Sequence, residues 1–318
     1  MRKLLTILLV VLFLGGCNHS EQIDGPRKID FGSKVTKTDL VENVADLQQQ
    51  DVKVYGSYSL DGRVGNLFDA ERLYYDNTIP GWTYNNTQYW INGALYHFCA
   101  VSPYYVACSF SDYTGKTTIT NYSSNSDADD LLYAATDRDL RNDDDFSTVL
   151  LQFRHACAAV EFELINGSNS AVTDVRNIRL VGLYNTGDFI FDSAGAEWVL
   201  YGTTVDPNSA VQPFGGACTL PDGGLPVNVD VRYPLYDGGP ILVLPQTVYK
   251  TPVTLHLEYI KEGDAEYAVR DIELGNLGGY TPHEWKAGEK YKYTMTITDN
   301  TITFSVEVLP WVDHYVDL

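Results

Sequence analysis

Three consecutive carboxylates, Asp143, Asp144 and Asp145, form the densest group of side chains in the sequence that could do chemistry. Such a group could bind a divalent cation or supply an acid and a base for hydrolysis. A calcium loop instead places its carboxylates at alternate positions, in the order Asp-x-Asp-x-Asp-Gly. That spacing does not occur here, so a solvated segment is the favoured interpretation of the three aspartates.

The remaining candidates for catalysis are scattered. His97, His155, His256 and His314 occur singly, and a lone histidine in a strand is usually structural. The sequence contains no Gly-x-Ser-x-Gly, His-Glu-x-x-His or phosphate-binding glycine motif. A glycosidase needs only two facing carboxylates, so the 42 Asp and Glu residues leave a hydrolase open as a third hypothesis. We expect a protein that is not an enzyme and that uses no cofactor or metal.

The N terminus carries the signature of lipid attachment. A short basic start precedes an apolar run, residues 4–14, that is shorter than the about 20 residues needed to span a bilayer. This pattern is typical of a secretory signal. The run ends in Leu-Gly-Gly-Cys, which resembles the lipobox of bacterial lipoproteins, and Cys17 is therefore the predicted acylation site and membrane anchor. We expect residues 1–16 to be a signal peptide and residues 17–28 to be a polar tether.

Two further cysteines flank the segment "AVSPYYVA". Cys99 and Cys108 could face each other across a hairpin that turns at Pro103 and Tyr104, and an exported protein meets an oxidising compartment in which they could form a disulfide. Buried free thiols are the alternative, and the favoured one, because cysteine often packs as a small apolar residue. No Cys-x-x-Cys pair occurs to support a zinc site.

The balance of charge limits the partners. The chain of 318 residues has a formal net charge of -20. Nucleic acid is excluded as a partner, because its binding depends on the neutralisation of phosphates by lysine and arginine. The length suffices for about two domains.

Alternation of apolar and polar residues dominates the chain and predicts an all-β protein. The clearest runs are "VTLHLEYI", "KYKYTMTIT" and "TITFSVEV". Asp299 and Asn300 separate the last two runs and predict a tight hairpin, and "KEGD" predicts another hairpin after the first run. One apolar face per strand is what two packed sheets require, so the pattern favours β-sandwiches.

Helical patterns are few and short. The segment "TDLVENVADLQQQ" places Leu40, Val44 and Leu47 on one face of a predicted helix, and "DADDLLYA" predicts one or two helical turns. In "TVLLQFRHACAAVEFELI" the apolar residues change parity, which predicts a bulge or bend near Arg154 and His155. The charged segment before it places a predicted domain boundary near residue 146.

Aromatic residues raise the question of carbohydrate binding. Five tryptophans and 23 tyrosines could form a surface on which sugars stack. However, Trp90, Tyr96 and Phe98 share one parity within "YWINGALYHF", a pattern that is more typical of a sandwich core. A glycan-binding lipoprotein for polysaccharide capture is therefore the alternative function.

Several segments, behind the lipobox and in this order, resemble the fimbrillin family of Bacteroidales, which are lipoprotein precursors of surface fimbriae. The similar segments are "KIDFGSKVTK", "WINGALYHFCAVSPYY", "VLLQFRHACAAVEFEL", "ILVLPQT" and "WKAGEKYKYTMTIT…TITFSVEVLPW". The resemblance implies two transthyretin-like, Greek-key β-sandwich domains in tandem, residues 29–146 and 147–318. It also implies display on the outer membrane and contact with other fimbrial subunits, with a second copy of the chain, or with a host or bacterial surface ligand.

In polymerising members of that family, a trypsin-like protease clips the precursor beyond an N-terminal strand. A C-terminal strand of the next subunit then fills the groove that the lost strand leaves, which is donor-strand exchange. By this resemblance Arg63 is the best-placed processing site, and Arg27 and Lys37 compete with it. The tail after Trp311 is short for a donor, although residues 301–308 could contribute. A stalk, tip, anchor or accessory role therefore stays open.

Overall fold

The structure is a computed structural model that describes residues 25–35, 47–125, 129–142, 144–204, 214–227, 231–249, 251–277 and 282–310. The elements that lie wholly within these ranges are strands and one short 3₁₀ turn, Leu274–Asn276. The strands are β1 Phe31–Val35, β2 Val52–Leu60, β3 Arg63–Asp76, β4 Gly81–Thr83, β5 Leu95–Ser102, β6 Ser109–Phe110, β7 Thr117–Ser123, β8 Leu132–Asp139, β9 Val149–His155, β10 Ala158–Asn166, β11 Val172–Val181, β12 Tyr184–Asp192, β13 Gly195–Thr204, β14 Gly215–Gly216, β15 Tyr233–Pro234, β16 Ile241–Val243, β17 Gln246–Thr247, β18 Thr254–Lys261, β19 Ala268–Glu273, β20 Glu284–Trp285, β21 Glu289–Ile297 and β22 Ile302–Pro310.

Sheet I has seven strands in the order β1-β9-β8-β5-β2-β3-β4. β1 runs parallel to β9, whereas the other neighbours in this sheet are antiparallel. The sheet curls so that its two end strands meet. Trp82 in β4 at one end donates a hydrogen bond of 2.7 Å from Nε1 to Ser33 Oγ in β1 at the other end. The concave side of the curl encloses an aromatic core that includes Phe31, Phe68 and Phe98.

Sheet II, in the order β13-β12-β7-β6, packs on the other face of sheet I. The rings of Tyr133 in β8 and Phe189 in β12 meet with centroids 4.9 Å apart. Central strands of sheet I are therefore buried on both faces. In β5, Tyr96 and Phe98 face the first core, and Cys99 and Val101 face the second.

The second half of the chain forms sheets III and IV around the largest core. Sheet III has the order β15-β10-β21-β22, with β16 also paired to β10, and sheet IV has the order β14-β11-β18-β19. β17 and β20 form a separate two-stranded sheet. Tyr291, Tyr293 and Met295 of β21 are fully buried, so β21 is the apolar centre of sheet III.

The all-β prediction is confirmed, and so are both hairpins. β18 pairs with β19 across the "KEGD" turn, and β21 pairs with β22 with Ile297 opposite Ile302. The predicted break near Arg154 and His155 is also present, since β9 ends at His155 in sheet I and β10 begins at Ala158 in sheet III.

The helical prediction for "DADDLLYA" is wrong. β8 begins at Leu132, and the buried side chains of Leu132 and Ala134 alternate with Tyr133 as strand geometry requires. Pairing with β5 along its whole length overrides the local helical preference of these residues. Most of the other predicted helix lies outside the described residues, although its Leu47 is fully buried. The boundary near residue 146 stays a prediction; β9, which follows it, pairs with β8, which precedes it.

Candidate assembly site

The candidate site is β1 together with the cleft of sheet I that holds it. β1 pairs with β9 from Phe31 opposite Val149 to Val35 opposite Phe153. A further hydrogen bond of 2.8 Å runs from Val149 N to the carbonyl of Asp30. The sequence favours this arrangement because Ile29 and Phe31 are buried, whereas Asp30 between them is exposed. Alternation in this short segment thus gives a strand with one apolar face.

Three aromatic rings surround the Phe31 side chain. Its ring lies edge-to-face with Phe68, Tyr84 and Phe98, at centroid distances of 5.4, 5.8 and 5.9 Å. Phe68 comes from β3 and Phe98 from β5, so the strands at the centre of sheet I build the floor beneath β1. Edge-to-face pairs add to the free energy that burial alone provides. Phe31 is therefore the principal apolar anchor of the first strand.

The other edge of this segment is held by residues 82–90. Tyr84 donates from its hydroxyl to the carbonyl of Ile29 at 2.6 Å. Ile29 N in turn donates to the carbonyl of Gln88 at 2.9 Å, and Trp90 N donates to the carbonyl of Arg27 at 2.9 Å. The segment 27–33 thus lies between two edges, and it closes the gap between the ends of the curled sheet.

Although it is well held, β1 is a short strand with a single strand partner in the order of sheet I. It is five residues long, whereas β2 has nine residues and lies between two partners, β5 and β3. Ile29 and Phe31 supply its apolar burial, and each such side chain contributes about 1.5–3 kcal/mol. Loss of β1 would uncover Phe68 and Phe98 and would leave one edge of β9 without a partner.

A second strand has the features of a donor. β22 lies at the edge of sheet III and pairs there with β21. Its side chains alternate between exposed and half-buried along the strand, and four apolar residues share the inward face: Ile302, Phe304, Val306 and Val308. An edge strand with one apolar face can pair with another sheet without unsatisfied polar side chains on that face. Trp311 and the predicted tail after it lie outside the described residues.

Comparison with known proteins identifies the fold. The sequence profile of the fimbrillin-like family matches residues 43–311 of this chain. The chain belongs to the fimbrillin-like family. Comparison with curated proteins gives no match.

Solved structures share the fold of this fimbrillin-like chain. A fimbrial protein from Bacteroides vulgatus superposes with a TM-score of 0.57 at 16% identity, over 90% of this chain and 100% of that one. A proposed cell adhesion protein from Bacteroides ovatus gives a TM-score of 0.55 at 14% identity, over 91% and 99% of the two chains. Another from Bacteroides uniformis gives 0.53 at 15% identity, over 91% and 99%.

Membership of the fimbrillin-like family supports a role as a fimbrial subunit or adhesin. It also indicates a structural, non-catalytic protein, contact with other fimbrial subunits, and a place in a cell-surface fimbrium. None of the helices among the described residues has the length and apolar character needed to cross a bilayer.

The predicted processing sites have different structural surroundings. Arg63 is exposed and begins β3, directly after a tight turn in which Asp61 and Gly62 have φ angles of 51° and 76°. Arg27 precedes β1, and its guanidinium lies 4.7 Å from the ring centroid of Phe146. Lys37 and the predicted lipidation site Cys17 lie outside the described residues.

Cys99 and Cys108 are near the same tyrosine, but Cys99 lies in sheet I whereas Cys108 directly precedes β6 of sheet II. Cys99 lies in β5 opposite Tyr55 of β2, and Tyr55 donates from its hydroxyl to the carbonyl of Cys108 at 3.2 Å. The chain turns at Pro103 and Tyr104 between them, but it then enters sheet II instead of pairing back on β5. Both cysteines are thiols in the structure, and their disulfide stays a prediction.

The residues first considered for catalysis have structural partners. Three histidines pair with aspartates: His97 with Asp137 at 2.7 Å, His155 with Asp130 at 3.0 Å, and His256 with Asp271 at 2.6 Å. The sequence alone did not indicate these aspartates, although the register of the β18–β19 hairpin places Asp271 opposite His256. His314 and Asp143 lie outside the described residues, Asp144 is exposed, and Asp145 accepts a hydrogen bond from Arg138.

Two further observations concern the metal site and the sugar-binding surface considered from the sequence. Within the described ranges, no group of three or more His, Cys, Asp or Glu side chains is arranged to hold a metal ion. Trp90, Tyr96 and Phe98 are buried in the core of sheet I, as their shared parity predicts. These three aromatic residues therefore do not form a sugar-binding surface.

Proposed function

We propose that the chain is an exported lipoprotein of the outer membrane that acts as a fimbrial subunit, or as an accessory, tip or anchor adhesin, and joins its neighbours by donor-strand exchange. The observation that carries this proposal is the short first strand, which fills an aromatic cleft between two strand edges. Phe31 inserts between Phe68 and Phe98, while β9 and residues 82–90 bind the backbone on either side.

A vacated cleft would favour the binding of another strand. Buried aromatic side chains would meet water, and the edge of β9 would present unpaired amide and carbonyl groups. A strand added from another chain satisfies the backbone and fills the apolar pockets at the same time. Because the joint forms by packing and hydrogen bonding alone, assembly needs no catalytic group or cofactor.

β22 supplies the pattern that the vacated cleft requires. Its four inward apolar residues occupy alternate positions over nine residues, whereas β1 offers Phe31 as its one large apolar ring. About four inward side chains at roughly 1.5–3 kcal/mol each would bury more apolar surface than β1 does. These side chains are already half-buried against the core of their own chain, so exchange is favourable where the vacated cleft of a neighbour buries them more completely than sheet III does.

The strand order bears on which of the candidate sites would release β1. A cut after Lys37 would separate β1 alone, because β1 ends at Val35 and β2 begins at Val52. A cut after Arg63 would also detach β2, whose Val52 and Val54 are buried at the centre of sheet I. Arg63 is accessible in its turn, but strand release favours Lys37 as the processing site.

Limited trypsin digestion of the purified precursor tests the proposal. We expect mass spectrometry to show loss of the N-terminal segment, and denaturing gels to show ladders of subunits that resist SDS. Lys37→Gln should abolish the ladders, whereas Arg63→Gln should leave them in place. A trimmed protein that stays monomeric would refute strand exchange.

The donor strand is tested by a matched pair of variants in β22. Val306→Asp places a charge on the inward face of the strand, and Glu307→Gln changes the exposed face at the next position. We expect the first variant to block the ladders and the second to have no effect. Equal assembly of both trimmed variants would exclude β22 as the donor.

The lipid anchor is tested separately. Growth with labelled palmitate should label the wild-type chain, and Cys17→Ser should remove both the label and the retention in the outer-membrane fraction. Unchanged acylation of the serine variant would overturn the assignment of Cys17.

A further inference from the structure

A cleft that the assembly proposal does not use lies at one end of sheet I. It has a volume of about 450 Å³ and is lined by Gln50, Asp51, Pro103, Tyr104, Tyr105 and Asp129. These residues come from the start of β2, the end of β5 and the segment before β8, which are neighbours in the sheet. We call this set of residues the tyrosine cleft. Its volume lies in the range of about 300–1,000 Å³ that is typical of small-ligand sites.

Two adjacent tyrosine rings are exposed in the cleft. Tyr105 is 68% exposed and Tyr104 is 37% exposed, whereas most of the other aromatic side chains that the structure describes are buried or half-buried. Both rings are nevertheless held in place. The hydroxyl of Tyr105 donates to the carboxylate of Asp129, and the hydroxyl of Tyr104 donates to the carbonyl of Ala70 at 3.3 Å. Rings that are already fixed lose little conformational entropy when a ligand stacks on them.

The cleft also carries polar groups with defined roles. The amide oxygen of Gln50 accepts a hydrogen bond of 2.8 Å from buried Ser102. This bond orients the amide group, and its nitrogen is then the hydrogen-bond donor. Asp51 forms an ion pair of 2.5 Å with Arg72, which places carboxylate acceptors beside guanidinium donors. Asp129 adds a second carboxylate. The cleft therefore offers both hydrogen-bond donors and acceptors beside the two rings.

This combination matches the chemistry of a neutral sugar. A pyranose presents apolar C–H faces that can stack on tyrosine rings, and its hydroxyl groups both donate and accept hydrogen bonds. Hydrogen bonds to carboxylates are stronger than those between neutral groups. We propose that the tyrosine cleft binds a neutral sugar residue of a glycan.

The charges disfavour other ligands. Arg72 neutralises Asp51, and the Lys53 ammonium lies 5.2 Å from the Tyr104 ring centroid. The carboxylate of Asp129, on a chain of net charge -20, disfavours acidic sugars and other anions. A basic peptide would have to compete with Arg72 for Asp51. No residue of the tyrosine cleft belongs to β1, to its aromatic pocket or to β22, so sugar binding is independent of strand exchange.

Titration of the detergent-solubilised mature protein with four neutral disaccharides, lactose, maltose, mannobiose and N,N′-diacetylchitobiose, tests the proposal. Calorimetry and saturation-transfer NMR should detect binding of at least one of them. Tyr105→Ala should weaken that binding about tenfold or more, because truncation of a stacked aromatic anchor removes a large part of a binding free energy. The variant should fold normally, since its side chain is mostly exposed.

Controls make the result specific to the cleft. Tyr113→Ala removes a tyrosine that is 80% exposed outside the cleft, and it should leave the affinity unchanged. Sialyllactose should bind more weakly than lactose because of its carboxylate. The proposal is overturned if none of the four disaccharides binds, if Tyr105→Ala binds as tightly as wild type, or if sialyllactose is preferred.

Discussion

The hydroxyl of Tyr84 donates a hydrogen bond of 2.6 Å to the main-chain carbonyl of Ile29, and both residues are buried. Tyr84 directly follows β4, the last strand in the order of sheet I, while Ile29 precedes β1, the first. Burial raises the pKa of the Tyr84 hydroxyl, so it remains protonated and able to donate at neutral pH. One side chain thereby ties the two ends of the curled sheet together at the strand that we propose is exchanged.

Tyr84→Phe should loosen the first strand. The variant keeps the ring that packs on Phe31 and Phe68, but it leaves the carbonyl of Ile29 buried without this donor. Such a loss costs about 1–3 kcal/mol. We expect a lower urea midpoint and faster hydrogen exchange at Ile29 N. Tyr113→Phe, at an exposed tyrosine, is the control, and equal exchange in the two variants would contradict the prediction.

Gly56→Ala should destabilise the core beneath β1. A Cβ at Gly56 would lie 2.8 Å from Phe68 Cδ2 and 3.1 Å from Phe98 Cδ1, so both rings would have to move. Overpacking of this kind typically costs about 1–3 kcal/mol. Thermal or urea unfolding measures the change. Gly195→Ala is the matched control, because a Cβ there meets nothing within 4 Å; similar losses in both variants would argue against tight packing at Gly56.

The buried thiols should resist alkylation. Burial raises the pKa of Cys99 to about 12 and that of the half-buried Cys218 to about 11. At pH 8 a thiol of pKa about 12 is ionised in roughly one molecule in ten thousand, and only the thiolate reacts. We expect Cys99 and the fully buried Cys157 to react with iodoacetamide only after denaturation, as followed by peptide mass spectrometry. Alkylation of either residue at the same rate in native and unfolded protein would contradict this burial.

Asp139 should titrate below the usual range for aspartate. Arg141 donates to it from its guanidinium at 2.7 and 2.8 Å and from its main-chain nitrogen at 3.0 Å, which lowers the pKa of this carboxyl to about 2. Because the folded-state value lies below the unfolded one, the stabilisation is complete above about pH 4 and is lost as the pH falls through about 2.

Carbon-13 NMR of the Asp139 carboxyl measures this directly. Arg141→Ala should move the midpoint up toward the ordinary value for aspartate, since the two guanidinium hydrogen bonds are lost. Arg63→Ala removes an exposed arginine elsewhere and should leave the midpoint unchanged. A midpoint near 4 in the wild-type chain would refute the interaction.

The parts of the fold that depend on residues close together in the chain could be predicted from the sequence. The β18–β19 and β21–β22 hairpins follow from alternation and turn residues within one short segment, and the core positions of Tyr96 and Phe98 follow from parity. The β8 strand could not be predicted from "DADDLLYA", because its pairing with β5 depends on residues 30 or more positions earlier in the chain. The aspartate partners of His97 and His155 were missed for the same reason, since each lies 25–40 residues away.

By itself, the sequence determined the all-β class, the local hairpins, the apolar face of each strand and the resemblance to fimbrillins, because these depend on periodicity and on short motifs. Only the tertiary structure decided that β1 runs parallel to β9, that residues 82–90 bind its other edge, and that Gln50, Tyr105 and Asp129 meet in one cleft. The physical reason is that strand order joins residues far apart in the chain. The alternation of apolar and polar residues indicates which face of a strand is buried. Many different strand orders would bury the same faces, so alternation does not determine the order.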